Sequence, residues 1–211
     1  MNATPTIHLV DDDAAVRDAL SMLLEVSGFR VATYAGGEAF LAACGVVRSP
    51  ACLILDVRMP GMSGPELHQE LNRRGIRLPV IFLTAHGDIP TSVAAIKAGA
   101  MDFLTKPVEG GLLIDRVRAA LAADTQQQAH RDELDALRSR YASLTDRERD
   151  VLVLVVAGRS SKEIARVLGI SHRTVETHRT RIMQKMSARS AVDLATMAQA
   201  LGLLGADPAL P

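Results

Sequence analysis

Five residues of this chain have the types and the order that phosphoryl transfer needs: Asp11, Asp12, Asp56, Thr84 and Lys106. Asp56 closes an unbroken apolar run, Cys52 to Leu55, and Pro60 and Gly61 then turn the backbone. A short apolar run bounded by turn residues reads as a strand buried on both faces. Asp56 therefore stands at a strand's carboxyl end, where open α/β sheets keep their ligand sites. Asp11 and Asp12 end one earlier short strand, Thr84 ends a later one, and Lys106 follows another. Three carboxylates brought to one rim repel each other strongly, even at an effective dielectric near ~20. A hard, oxygen-seeking dication such as Mg2+ answers that charge, and Lys106 adds another positive group. In such a site Asp56 is the nucleophile, the cation and the amine offset charge on the transferring group, and Thr84 offers its hydroxyl to a phosphoryl oxygen.

The elements that must carry these residues follow from periodicity. Strands are predicted over Thr6–Val10, Arg30–Tyr34, the run ending at Asp56, Pro79–Thr84 and Asp102–Leu104. Helices are predicted over Ala14–Ser27, Gly37–Ala43, Pro65–Arg74, Ile89–Ala98 and Gly111–Ala123. In the first of these Val16, Leu20, Leu23 and Leu24 recur at helical spacing, Asp13 caps the start and Gly28 closes the end. Five βα units in succession predict an α/β domain, a parallel sheet with right-handed crossovers and helices on both faces. Arg58 and His86 each lie two residues past a site residue, Asp56 and Thr84. They should flank the mouth through which water reaches an acyl phosphate, and so tune dephosphorylation.

Residues 112–141 contain no Gly or Pro, and the stretch from Asp124 to Glu133 is polar apart from Ala129. This reads as a connecting helix or as a polar linker, and Leu134, Leu137, Tyr141 and Leu144 could form a short two-helix seam. Beyond it, Thr145 and Glu148 make a capping box for a helix ending at Gly158. A second helix covers Ser161–Leu168, Gly169 makes a tight turn, and Ser171 caps a third helix running to about Met186. A fourth covers Ala191–Leu201. Two short helices joined by a turn containing Gly read as helix-turn-helix. On the third helix Val175, Ile182 and Met186 form one stripe. Its other faces hold Arg173, Thr174, Glu176, Thr177, Arg179, Thr180, Arg181 and Lys185, a set able to meet phosphates and base edges from one surface.

These motifs carry a family resemblance. VDDD at Val10–Asp13, LDVRMPGMSG from Leu55, TAH from Thr84 and Lys106-Pro107 resemble the receiver domain of bacterial two-component response regulators, over residues 5–122. The resemblance implies a flavodoxin-like sheet of order 2-1-3-4-5 and a phosphoryl group accepted on Asp56 from a sensor histidine kinase. It implies that Asp12, Asp56 and the Arg58 carbonyl hold Mg2+, with Asp11 reaching it through water. It also implies a cis Lys106–Pro107 bond and a switch in which Phe103 turns inward as Thr84 moves. Phe in place of Tyr there removes a hydroxyl. LTDRERDVL from Leu144 and SKEIARVLGISHRTVETH from Ser161 resemble the LuxR-type DNA-binding domain, over residues 143–205, with 123–142 as a helical linker. There the third helix reads DNA and the fourth pairs two copies. Glu176, Thr177 and Thr180 would face base edges; Glu176 and Thr180 stand where some relatives carry Lys, so the preferred sequence should differ. Together the halves resemble regulators of the FixJ type.

Composition agrees with a regulator that meets DNA in the cytoplasm. The net charge of the 211 residues is zero, but residues 143–211 hold ten bases against seven acids, a mildly basic balance. Cys44 and Cys52 are the two cysteines, too few for a disulfide framework. There is no export signal and no apolar run long enough to span a membrane. The implied partners are the kinase, double-stranded promoter DNA, a second copy once phosphorylated, and RNA polymerase at the promoter. The rival readings are a regulator whose receiver takes no phosphate, and an aspartyl phosphatase. The latter needs an acid two residues after its nucleophile, where this chain has Arg58.

Overall fold

The computed structural model describes residues 5–46, 50–85 and 99–203. The chain divides into two compact units, residues 1–128 and 129–211.

The first unit is a five-stranded, wholly parallel sheet in the order β2-β1-β3-β4-β5. Its strands are β1 (Thr6–Val10), β2 (Arg30–Tyr34), β3 (Ala51–Asp56), β4 (Val80–Thr84) and β5 (Asp102–Thr105). Central β3 is buried along its whole length, as its unbroken apolar run requires. Alternate side chains go to opposite layers. Leu53 and Leu55 join Phe40, Leu67 and Leu71 on one face, from α2 (Gly37–Ala43) and α3 (Gly64–Arg73). Cys52 and Ile54 join Leu24, Leu113 and Val117 on the other, from α1 (Ala14–Val26) and α4 (Gly110–Ala142). Asp13 caps α1, its Oδ1 accepting from the Ala15 N–H at 2.8 Å. The helix predicted over Ile89–Ala98 and the site residue His86 lie outside the described residues.

The stretch read as either a helix or a polar linker is helical: α4 runs unbroken for 33 residues. Nothing in it breaks a helix, and Ala, Leu, Gln, Glu and Arg favour one. It is not an exposed connector at both ends, however. Asp124 is fully buried in the first unit, where its Oδ2 accepts from the Ala51 N–H at 2.9 Å. Leu137 and Tyr141, with Leu144 just beyond, belong to the apolar core of the second unit. That packing draws three of the four residues of the possible two-helix seam into this core.

The second unit is all-α. It comprises α5 (Asp146–Val156), α6 (Ser161–Leu168), α7 (His172–Met186) and α8 (Ala191–Ala200) around Val151, Leu152, Ile164, Val175, Ile182 and Leu194. The capping box of Thr145 and Glu148 forms as the spacing predicts, and Ser160 with Glu163 forms another. Gly169 ends α6 in the left-handed region, φ 65°, where a side chain would be strained. This makes the turn that leads to α7.

Candidate functional site

The parallel register brings the carboxyl ends of β1, β3 and β4 to one rim: Val10 pairs with Leu55 and Asp56 with Leu83. Asp11 and Asp56 are almost wholly buried there, at 1% and 6% exposure. Lys106 lies between them, its Nζ donating to Asp11 Oδ2 at 2.5 Å and to Asp56 Oδ1 at 2.7 Å. The remaining oxygens are met by backbone: Asp56 Oδ2 accepts from the Arg58 N–H at 3.0 Å, and Asp11 Oδ1 from the Asp13 N–H at 3.0 Å. Lys106 enters from a loop whose Lys106–Pro107 peptide is cis. Its own N–H donates to the Thr84 carbonyl at 2.6 Å, which ties the lysine to the end of β4. Thr84 is buried at that end.

Two buried carboxylates share one ammonium, and the electrostatics show it. Burial pushes the Asp56 carboxyl above its ordinary value, and Asp11 adds to that push. The Lys106 ammonium and the Arg58 N–H oppose both without cancelling them. A desolvated, more basic carboxylate is the better nucleophile. Burial pulls Lys106 down, but its bonds to Asp11 and Asp56 outweigh that and raise it.

The third expected carboxylate behaves differently. Asp12 is exposed, and among the described residues no three His, Cys, Asp or Glu side chains gather as a metal site. The cluster expected from sequence is thus two acids bridged by an amine, because Lys106 already supplies the nearest neutralising charge. The chemistry of the set still suits Mg2+: its donors are hard oxygens, and one ammonium offsets only one of two buried carboxylates. Arg58 is exposed beside Asp56, leaving its side chain outside the cluster. Phe103 is half-buried on β5 against the first apolar layer, its ring centroid 6.4 Å from that of Phe82.

Two residues not singled out from sequence also shape the rim. Arg17 Nη1 donates to the carbonyls of Asp11 and Asp12 at 2.7 and 2.9 Å, holding the acidic loop against α1. A base one helical turn past an acidic cluster was the available signal. At Gly64 an added Cβ would lie 2.2 Å from the Asp56 carbonyl oxygen, so only glycine lets α3 start this close to the end of β3.

In the second unit α7 presents Arg173, Thr174, Glu176, Thr177, Thr180 and Arg181 to solvent. Thr177 and Thr180 donate their hydroxyls back to the carbonyls of Arg173 and Glu176, each at 3.0 Å, which leaves oxygens to accept and methyls to touch a groove. Thr174 bonds to the cap residue Ser171. Gln184 shares the outward stripe with Arg173, Thr177 and Thr180 and was missed, because an uncharged amide carries no charge signal. Arg179 is half-buried and lines a small cavity with Val155, Met183 and Leu194. Lys185, expected on the DNA-contacting face, is half-buried and ion-pairs with buried Glu148 at 2.7 Å. A residue's helical angle alone does not show which neighbour its long side chain reaches.

A family model for the response regulator receiver domain matches residues 7–118, and one for bacterial regulatory proteins, luxR family, matches residues 142–198. The sequence is 46% identical to the transcriptional regulatory protein FixJ of Azorhizobium caulinodans over 205 residues, 97% of each chain. It is 44% identical to the transcriptional regulatory protein TdiR of Thauera aromatica, over 90% of this chain and 83% of that one. Among solved structures it is similar to the response regulator StyR, with TM-score 0.83 and 43% identity, covering 93% of this chain and 99% of that one. Full-length FixJ from B. japonicum matches with TM-score 0.59 and 38% identity, over 96% of this chain and 100% of that one.

Proposed function

Because the chain belongs to the transcriptional response regulators that join a receiver domain to a LuxR-type DNA-binding domain, we propose that phosphorylation of Asp56 switches its binding to promoter DNA. The single observation that carries this is the Asp11–Lys106–Asp56 cluster at the carboxyl rim of the sheet. A receiver implies a sensor kinase as partner, here the source of the phosphoryl group. An Asp56 carboxylate oxygen attacks the phosphorus of a phosphohistidine, a P–O bond forms, the P–N bond breaks, and the imidazole keeps the bonding pair. Asp11, Asp12, Asp56 and the Arg58 carbonyl would hold Mg2+, whose charge offsets that of the phosphoryl oxygens. Lys106 already stands 2.7 Å from Asp56 and meets the new anion directly. Thr84 donates its hydroxyl to a phosphoryl oxygen, and Phe103 moves into the space behind it. Arg58 and His86 set how fast water removes the phosphate.

The changed surface near β5 then pairs with a second copy. Two linked DNA-binding domains bind a two-fold site far better than one. On each copy Arg173, Arg181 and Arg179 meet phosphates, and Glu176, Thr177, Thr180 and Gln184 face base edges. RNA polymerase is the partner at the promoter, and the cytoplasm is the setting. Among the described residues no helix is long and apolar enough to cross a membrane. The test is to incubate the chain with Mg2+ and acetyl phosphate, weigh it intact, and footprint it on genomic DNA. Gain of one phosphoryl group, absent from Asp56→Asn and accompanied by new protected sites, is expected. A chain that gains none, or whose footprints ignore phosphorylation, overturns the proposal.

A further inference from the structure

The outward face of α7 is useful only if the helix is held at a fixed rotation and tilt. Its buried stripe, Val175, Ile182 and Met186, packs in an apolar core, and apolar burial is non-directional. One polar junction fixes direction. In the last turn of α7, Lys185 Nζ donates to Glu148 Oε2 at 2.7 Å and to the Ser143 carbonyl at 3.1 Å. Glu148 is 2% exposed, and the same oxygen accepts the Thr145 N–H that closes the cap of α5 at 2.8 Å. The chain leaving α4, the start of α5 and the end of α7 therefore meet at one ammonium. Charge-assisted hydrogen bonds of this kind are both stronger and more directional than neutral ones.

We propose that Glu148 and Lys185 are positioning residues for the DNA-reading helix, setting the orientation at which α7 enters the groove, and that Lys185 makes no phosphate contact itself. This rests on the reading of α7 as the helix that meets DNA.

The test uses the full-length chain, phosphorylated with acetyl phosphate, and a duplex that the unaltered chain selects from a random-sequence pool. Glu148→Gln keeps an oxygen for the Thr145 N–H and removes the charge. Loss of a negative charge by itself tightens binding to a polyanion. A positioning role gives the opposite sign, a loss of roughly tenfold, the worth of one base-edge contact. Lys185→Met should lose as much, with an unchanged slope of log affinity against log salt, and Lys185→Arg should restore binding. A slope lower by about 1 in Lys185→Met marks a lost phosphate contact and overturns the proposal. Acetylation of Lys185 by acetic anhydride in the unaltered chain needs no variant to fold: equal labelling with and without duplex supports the strut, and protection appearing only with duplex overturns it. If the unaltered chain selects no duplex, the DNA-binding reading itself fails, and this inference with it. If it selects one that Glu148→Gln binds equally or more tightly, only the positioning role fails.

Discussion

Lys106 in the first unit and Lys185 in the second each hold a buried carboxylate at 2.7 Å, yet the two lysines are built into opposite situations. Lys106 serves two acids, and the Asp56 carboxyl it touches is still pushed upward by burial and by Asp11. Lys185 serves one acid. Burial pushes Glu148 up, but Lys185 and the Thr145 cap outweigh it and hold the carboxyl below its ordinary value. The balanced pair is a strut, and the unbalanced cluster carries excess negative charge at a sheet rim, a field that attracts a further cation. Stoichiometry of charge, more than distance, separates a site for chemistry from a structural bond.

The comparison breaks most sharply at Asp56. Asp56→Asn should abolish phosphoryl uptake from acetyl phosphate, read by intact mass, while leaving the second unit's melting unchanged. Lys106→Met leaves two buried acids with no amine and should destabilise the receiver by about 3 kcal/mol in urea, with Mg2+ recovering more of that loss than it adds to the unaltered chain. Gly64→Ala forces a Cβ against the Asp56 carbonyl, so a loss of about 2 kcal/mol and slower phosphorylation are expected.

The pH dependence should differ in sign. Asp56 is raised in the folded state, so the native chain keeps a proton that the unfolded chain has released. Receiver stability should therefore fall as pH rises from the ordinary carboxylate value through the raised one, and Asp56→Asn should remove that fall. Glu148 is lowered, so its contribution is complete above the ordinary value and lost as pH drops through the folded one; Glu148→Gln should flatten that loss. Urea midpoints of each domain across the acid range measure both. The smallest effect is at Arg181, exposed on α7: Arg181→Ala should reduce the salt slope of DNA binding by about 1, the change that Lys185→Met should not show.

Much of this was legible in the residues because it is local. The run Cys52 to Leu55 fixes a buried strand, Thr145 with Glu148 fixes a helix start, and Gly169 fixes a turn, each within a few residues of chain. Asp11, Asp56 and Lys106 were legible as a group because parallel βα units place every strand's carboxyl end on one rim, whatever the loops do. Gly64 and Arg17 were not, since their roles depend on distances of an ångström or two between backbone segments.

By itself the sequence determined the two folds, the sheet rim that gathers Asp11, Asp56 and Lys106, and the helix that turns Arg173, Thr177 and Thr180 outward, since periodicity, capping and turn chemistry act over short spans. Tertiary structure alone decided that Lys106 bridges two acids while Asp12 stays in solvent, that Asp124 near the middle of α4 bonds to Ala51 in the first unit while Tyr141 near its end packs in the core of the second, and that Lys185 turns from the outward face to Glu148. A long charged side chain can reach several partners from one backbone position, and burial and Coulomb energy choose among them only when the chain has packed.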